Sequence, residues 1–216
     1  MIKNGSARIV LVLPLLTFML ITACSDGNDE SAMVADDQSH AMEMTVASSV
    51  FDDFAHQGLI VLEHVYPTPS AFDSQLWKAI SDYLQLKEAF ISADLSKIEE
   101  NMRQLRVSIE GIDSGLLEEI ALEAWGSHRK VLLASLEQME KVGSLEAKRL
   151  HFSHISEAVY CSARSFDPEG NRLFTAYCPM ALNSRGAYWL SDSREIQNPY
   201  MGQAMYSCGE VREIIN

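Results

Sequence analysis

Basic residues are scarce in this 216-residue chain: 17 Lys plus Arg stand against 30 Asp plus Glu, for a net charge of -13. A nucleic-acid binder needs a basic patch, so DNA and RNA are poor partners for it. Glycine and proline are few, 11 and 6, which excludes collagenous and low-complexity architectures. No self-similar period marks a repeat protein. No apolar run reaches the roughly twenty residues of a membrane-spanning helix. Gly-x-Ser-x-Gly, His-Glu-x-x-His, Gly-x-Gly-x-x-Gly and phosphate-loop patterns are missing. Isolated carboxylates such as Glu210 are too common to mark acid-base chemistry, so no catalytic residue is assigned and the chain reads as no enzyme. What is there, 47% hydrophobic residues, suits one folded domain with something added to it.

The addition is at the N-terminus. Lys3 and Arg8 precede the apolar run from Ile9 to Ile21, which ends at Thr22, Ala23 and Cys24 without meeting an acid, the layout of a secretory signal over residues 1–23. Leu20-Ile21-Thr22-Ala23-Cys24 resembles the lipobox of bacterial lipoproteins, whose Cys is lipidated and becomes the mature N-terminus. Several acyl chains on Cys24 would hold the protein on a membrane, since each buried CH2 contributes about 0.8 kcal/mol. Removing Lys3 and Arg8 leaves 15 basic residues against 30 acidic ones, a net charge of -15, so attraction to anionic lipid is not expected. Ser25 after the Cys, by resemblance to enteric lipoproteins, implies the periplasmic face of the outer membrane. The compartment is oxidising.

A flexible tether is expected over residues 24–65, because Ser25 to Ser49 is rich in Asp, Ser, Ala and Met and has no aromatic residue. Within it His40, Met42 and Met44 alternate, a set of soft donors that could wrap Cu(I); a linker that merely contains Met fits equally. The domain itself is expected over 66–216. Leu76, Ile80, Tyr83, Leu84, Phe90 and Ile91 recur at helical spacing between Asp73 and Ser92, after Pro67 and Pro69. A second helix follows Asp94 as N-cap, with Leu95, Ile98, Met102, Leu105 and Ile109, and ends at Gly111. A third is expected from Asp113 or Ser114, with Glu118 and Glu119 in its first turn, to about Gly143. Ser144 caps a fourth, with Leu145, Phe152, Ile155 and Val159 on its stripe, running to about Arg164. The fold class predicted is mainly α, an up-and-down antiparallel four-helix bundle with an irregular Cys-, Met- and aromatic-rich segment packed on it.

After Asp167-Pro168-Glu169-Gly170 the helical pattern stops and Cys178-Pro179-Met180-Ala181, Trp189-Leu190-Ser191, Asn198-Pro199-Tyr200-Met201-Gly202 and Met205-x-x-Cys208-Gly209 follow in order. Two thiolates and two thioethers suit Cu(I) or a similar soft ion better than Zn2+, since no Cys-x-x-Cys pair occurs. A Cys178–Cys208 disulfide fits the same residues and the same compartment, and it would remove both thiolates from any ion. These four runs resemble a bacterial extracytoplasmic domain of unknown function, found on lipoproteins and on periplasmic adaptors of copper and silver efflux pumps. The resemblance implies a helical bundle with this segment against it, a role in metal homeostasis or efflux, a metal-efflux adaptor as partner, and Cys178, Met180, Met205 and Cys208 as the metal site. Cys161 lies outside the runs, and Met201 fills a variable place in one. The competing expectation is a disulfide-pinned interaction module of the cell envelope that holds no metal.

Overall fold

The computed structural model describes residues 59–215 apart from 63, 169 and 171. Four long helices carry the fold: α1 (Ser70–Ile91), α2 (Leu95–Glu110), α3 (Glu119–Lys141) and α4 (Leu145–Phe166). Pro69 precedes α1 as its N-cap residue, a place where a fixed φ is tolerated. Asp94 caps α2 by accepting from the amides of Ser96 and Lys97, both at 3.1 Å. Ser144 caps α4 by accepting from Ala147 N. None of these helices is long and apolar enough to cross a membrane.

The third helix starts later than its sequence predicts. Asp113 accepts from Gly115 N and caps a short 3-10 turn, Ser114–Leu116. Leu117 is extended, and α3 begins only at Glu119. Its buried face runs through Ala121, Ala124, Trp125, His128, Leu132 and Leu136, leaving Ile120 exposed. Helices α1 and α2 pack as one pair and α3 and α4 as another, with α2 against α3 and α1 against α4. Aromatic contacts run through the core: Phe72 meets Trp125 edge-on at 5.8 Å, Tyr83 stacks on Phe152 at 5.4 Å, and Phe90 lies 4.5 Å from Phe152.

The C-terminal segment is a sheet, which corrects the irregular segment expected from composition. Strands β1 (Leu173–Cys178), β2 (Ala187–Ser191) and β3 (Glu210–Ile215) are antiparallel in the order β2-β1-β3. A bulge at Thr175/Ala176 shifts the β1–β3 register. For β1 the physical reason for the miss is burial on both faces. Along β1 the exposure follows no two-residue alternation, so a half-buried strand's signature is absent. The β2 strand packs on α4, and Leu190 N donates to Tyr83 Oη at 3.1 Å.

Ahead of α1, residues 59–62, which composition assigns to the tether, lie against α3 and α4. Leu59 is buried, Ile60 N donates to Ser127 Oγ and Leu62 N to Ser165 Oγ. The His128 Nε2 donates to Ile60 O at 2.6 Å while Nδ1 faces Ser162 Oγ at 3.1 Å. That buried imidazole is a structural clasp.

Candidate functional site

The four C-terminal sequence runs converge around one loop. Cys178 ends β1 and Cys208 stands just before β3, so the β1–β3 pairing carries them toward each other. Their Sγ atoms are 2.8 Å apart. Cys178 is fully buried and Cys208 partly so. Their sulfur–sulfur hydrogen bond, with burial added to it, raises the Cys208 thiol above its ordinary pKa. Because a thiolate is both the nucleophile and the metal ligand, Cys208 is held as thiol until it is oxidised or an ion displaces its proton.

Backbone geometry fixes Cys208. Gly209 has φ 137°, and a Cβ there would stand 2.8 Å from Trp189 Cη2 and 2.9 Å from Tyr177 O, so only glycine lets the chain turn so close to β1. Asn198, fully buried, donates from Nδ2 to Cys208 O at 2.6 Å and accepts from Tyr200 N at 2.7 Å. Its own amide donates to Tyr206 O, and Cys208 N donates to Met205 O. Gly202, at φ 69° and ψ -171°, occupies a region open essentially to glycine alone, which accounts for the glycine ending Asn-Pro-Tyr-x-Gly.

Tyr200 ties the loop to the helices. Its Oη donates to Tyr188 O at 2.6 Å and lies 3.3 Å from Ser156 Oγ, which in turn meets Tyr83 Oη at 2.8 Å. Burial raises the pKa of both phenols well above the ordinary value. They are structural hydroxyls, and none is placed to act as an acid or base at neutral pH. Trp189 packs edge-on against Tyr200, 6.1 Å between centroids. Ser191, closing Trp-Leu-Ser, accepts from the buried Lys87 Nζ at 3.1 Å.

The sulfur donors are only partly gathered. Cys178 and Cys208 meet. Met205 reaches Cys208 through its backbone carbonyl. Met180, 49% exposed, lines a cavity of about 530 Å3 together with Met201, Tyr200 and the start of α4. Among the described residues no three of His, Cys, Asp and Glu are grouped as a metal centre. Cys161 is buried in α4, and burial together with the Glu157 charge raises its thiol pKa, the profile of an inert core cysteine. His151 and His154 stand with ring centroids 6.2 Å apart. Cys24, His40, Met42 and Met44 lie outside the described residues. Sequence reasoning quoted Asn198 within one of its runs but gave it no role, and it missed Arg149 because a cation on a helix ordinarily reads as surface.

A family described as a protein of unknown function (DUF3347) matches residues 79–171. The matched stretch spans most of α1 through α4 and ends before Cys178, so the likeness rests on the helices. No curated protein and no solved structure matches the chain.

Proposed function

We propose that this is an extracytoplasmic binding module, held on a membrane by lipid on Cys24, whose Cys178–Cys208 pair closes as a disulfide and pins the end of β1 to the turn that leads into β3. The helices themselves are read as an up-and-down antiparallel bundle. The sulfur contact of 2.8 Å carries this reading. Two thiolates sharing one ion at ligand distances of about 2.3 Å would stand roughly 3.8 Å apart, so the observed spacing is nearer to a bridge than to a shared ion. An oxidising periplasm favours the same outcome. Intact mass without reductant, with and without alkylation, on protein taken from its native compartment checks it. The expected result is Cys178 linked to Cys208, and two alkylatable thiols at these positions would overturn it.

A second reading is favoured by the same convergence. In the reduced protein two sulfurs already face each other, the minimum set for Cu(I) or a comparable soft ion. Cys208 is only partly buried, so its side chain can give the extra ångström that an ion needs. Met180 and Met205, two residues from Cys178 and three from Cys208, are the nearest thioethers along the chain, and the tether residues His40, Met42 and Met44 would add further soft donors. On this reading the protein captures the ion for homeostasis or passes it to an efflux adaptor. Titration of reduced protein with Cu(I) should show weaker binding for Cys178→Ser and Met205→Leu; equal affinity in all three would remove the metal role. No reaction is assigned under either reading.

A further inference from the structure

The cavity beside the left-handed turn has a charge opposite to that of the molecule. Its walls are the N-terminal turn of α4, the residues around Tyr200 and Met201, and the four-residue turn Ala181–Ser184. Arg149 and Arg185 line it against one carboxylate, Glu146, in a chain whose net charge is -13. The positive end of the 22-residue α4 opens on the same space.

Arg149 is the unusual member. It is 9% exposed, and its one hydrogen bond to a described residue runs from Nε to Pro199 O at 3.0 Å. No carboxylate comes within ion-pairing distance of its guanidinium among the described residues. Buried arginines are ordinarily paired, so a guanidinium with its two Nη groups uncommitted on a cavity wall is a donor fork awaiting an acceptor. Burial lowers its pKa, and the Glu146 charge partly restores it. Glu146 is exposed and free to swing into solvent.

The opposite wall is under strain. Leu182, Asn183 and Ser184 have φ of 52°, 59° and 63°, three successive left-handed residues without a glycine, a conformation that the surrounding contacts must hold in place. Arg185 Nε donates back to Leu182 O at 3.1 Å, fixing the second guanidinium at the rim. Leu150, Leu182, Met180, Met201 and the Tyr200 ring supply an apolar lining. A volume of about 530 Å3 is in the range of small-molecule sites.

We propose that this cavity binds a small organic carboxylate carrying an apolar chain, its head held by Arg149 and Arg185 and its chain laid along the methionine and leucine wall. Planar carboxylates match the guanidinium fork, whereas a bare inorganic anion would leave the apolar wall wet. A soft cation is disfavoured here by the two arginines, which separates this site from the cysteine pair.

Calorimetric titration of the full chain with octanoate tests it, with octylammonium and inorganic phosphate as parallel arms. Octanoate should bind at least about tenfold more tightly than either, as expected for losing a charge-assisted bond or the apolar contact. Arg185→Gln should weaken octanoate about tenfold with an unchanged thermal melt, and Arg149→Gln should abolish it. Because Arg149 also holds Pro199 O, the exposed Arg185 is the decisive variant. Equal binding of octylammonium, phosphate as tight as octanoate, or unaltered octanoate affinity in Arg185→Gln would each overturn the proposal.

Discussion

Both ends of the Asn198 carboxamide are committed to main chain, one to Cys208 O and the other to Tyr200 N. Replacing it by alanine strands a carbonyl and an amide in a buried place, and each orphaned group costs on the order of 1–3 kcal/mol. Asn198→Ala should therefore lower unfolding free energy by about 2–4 kcal/mol in urea, whereas Ser193→Ala, on the exposed turn after β2, should change it little. His128 gives a pH dependence. Burial lowers its pKa from 6.5 to about 4, against the raising effect of the Ile60 carbonyl. Between those values the unfolded chain binds the proton and the folded one does not, so stability rises with pH there. The contribution is whole above about pH 6.5 and is lost as pH falls toward 4, on the order of 3 kcal/mol in all. Urea titrations at pH 7 and pH 4.5 should show the fall, and His128→Gln should flatten that part of the profile. Neither residue advertises its role in the sequence. An asparagine beside a proline reads as a turn, and a lone histidine within a helix has no visible partner until residue 60 is brought to it.

Helix starts were legible wherever a side chain settles the cap, and illegible where it caps something else. Asp94 and Ser144 each accept from amides in the first turn that follows, and each stands immediately before its helix as its position predicts. Asp113 has the same chemistry, but the turn it caps closes after three residues, and α3 restarts at Glu119 without a side-chain cap. Propensity alone does not separate a 3-10 turn from a helix's first turn. The strands were lost for a different reason. In β3 the inward positions include Glu213, which accepts from Tyr160 Oη at 2.7 Å and pairs with Arg164. A carboxylate on the inward face breaks the apolar alternation by which a strand is recognised. The cap carries a measurable value: Asp94→Ala should destabilise the protein by about 1 kcal/mol, read as a shift in urea midpoint with unchanged slope. Asp94→Asn, which keeps an accepting oxygen, should recover most of that loss.

For the whole molecule the decisive link is the one between the end of β1 and the approach to β3. The sequence places Cys178 and Cys208 as partners without choosing between a bridge and an ion, and their 2.8 Å approach follows from β1–β3 pairing that composition does not reveal. The cavity was not legible at all, since Arg149 and Arg185 lie on separate elements and meet only through the turn between β1 and β2. A bridge between the two cysteines closes a loop of about thirty residues, which by chain entropy stabilises the fold by about 3.6 kcal/mol, roughly 10 °C in midpoint for a domain of this size. The Cys178→Ser/Cys208→Ser double variant should melt lower by that amount, and reductant should lower the wild type to nearly the same temperature while leaving the variant unmoved. Reduction that leaves the wild-type midpoint unchanged would mean that the thiols never paired, and would shift the weight onto the Cu(I) reading. The matched helices should keep their far-ultraviolet signal in the double variant near room temperature, because their core of Phe72, Tyr83, Trp125 and Phe152 packs without either cysteine.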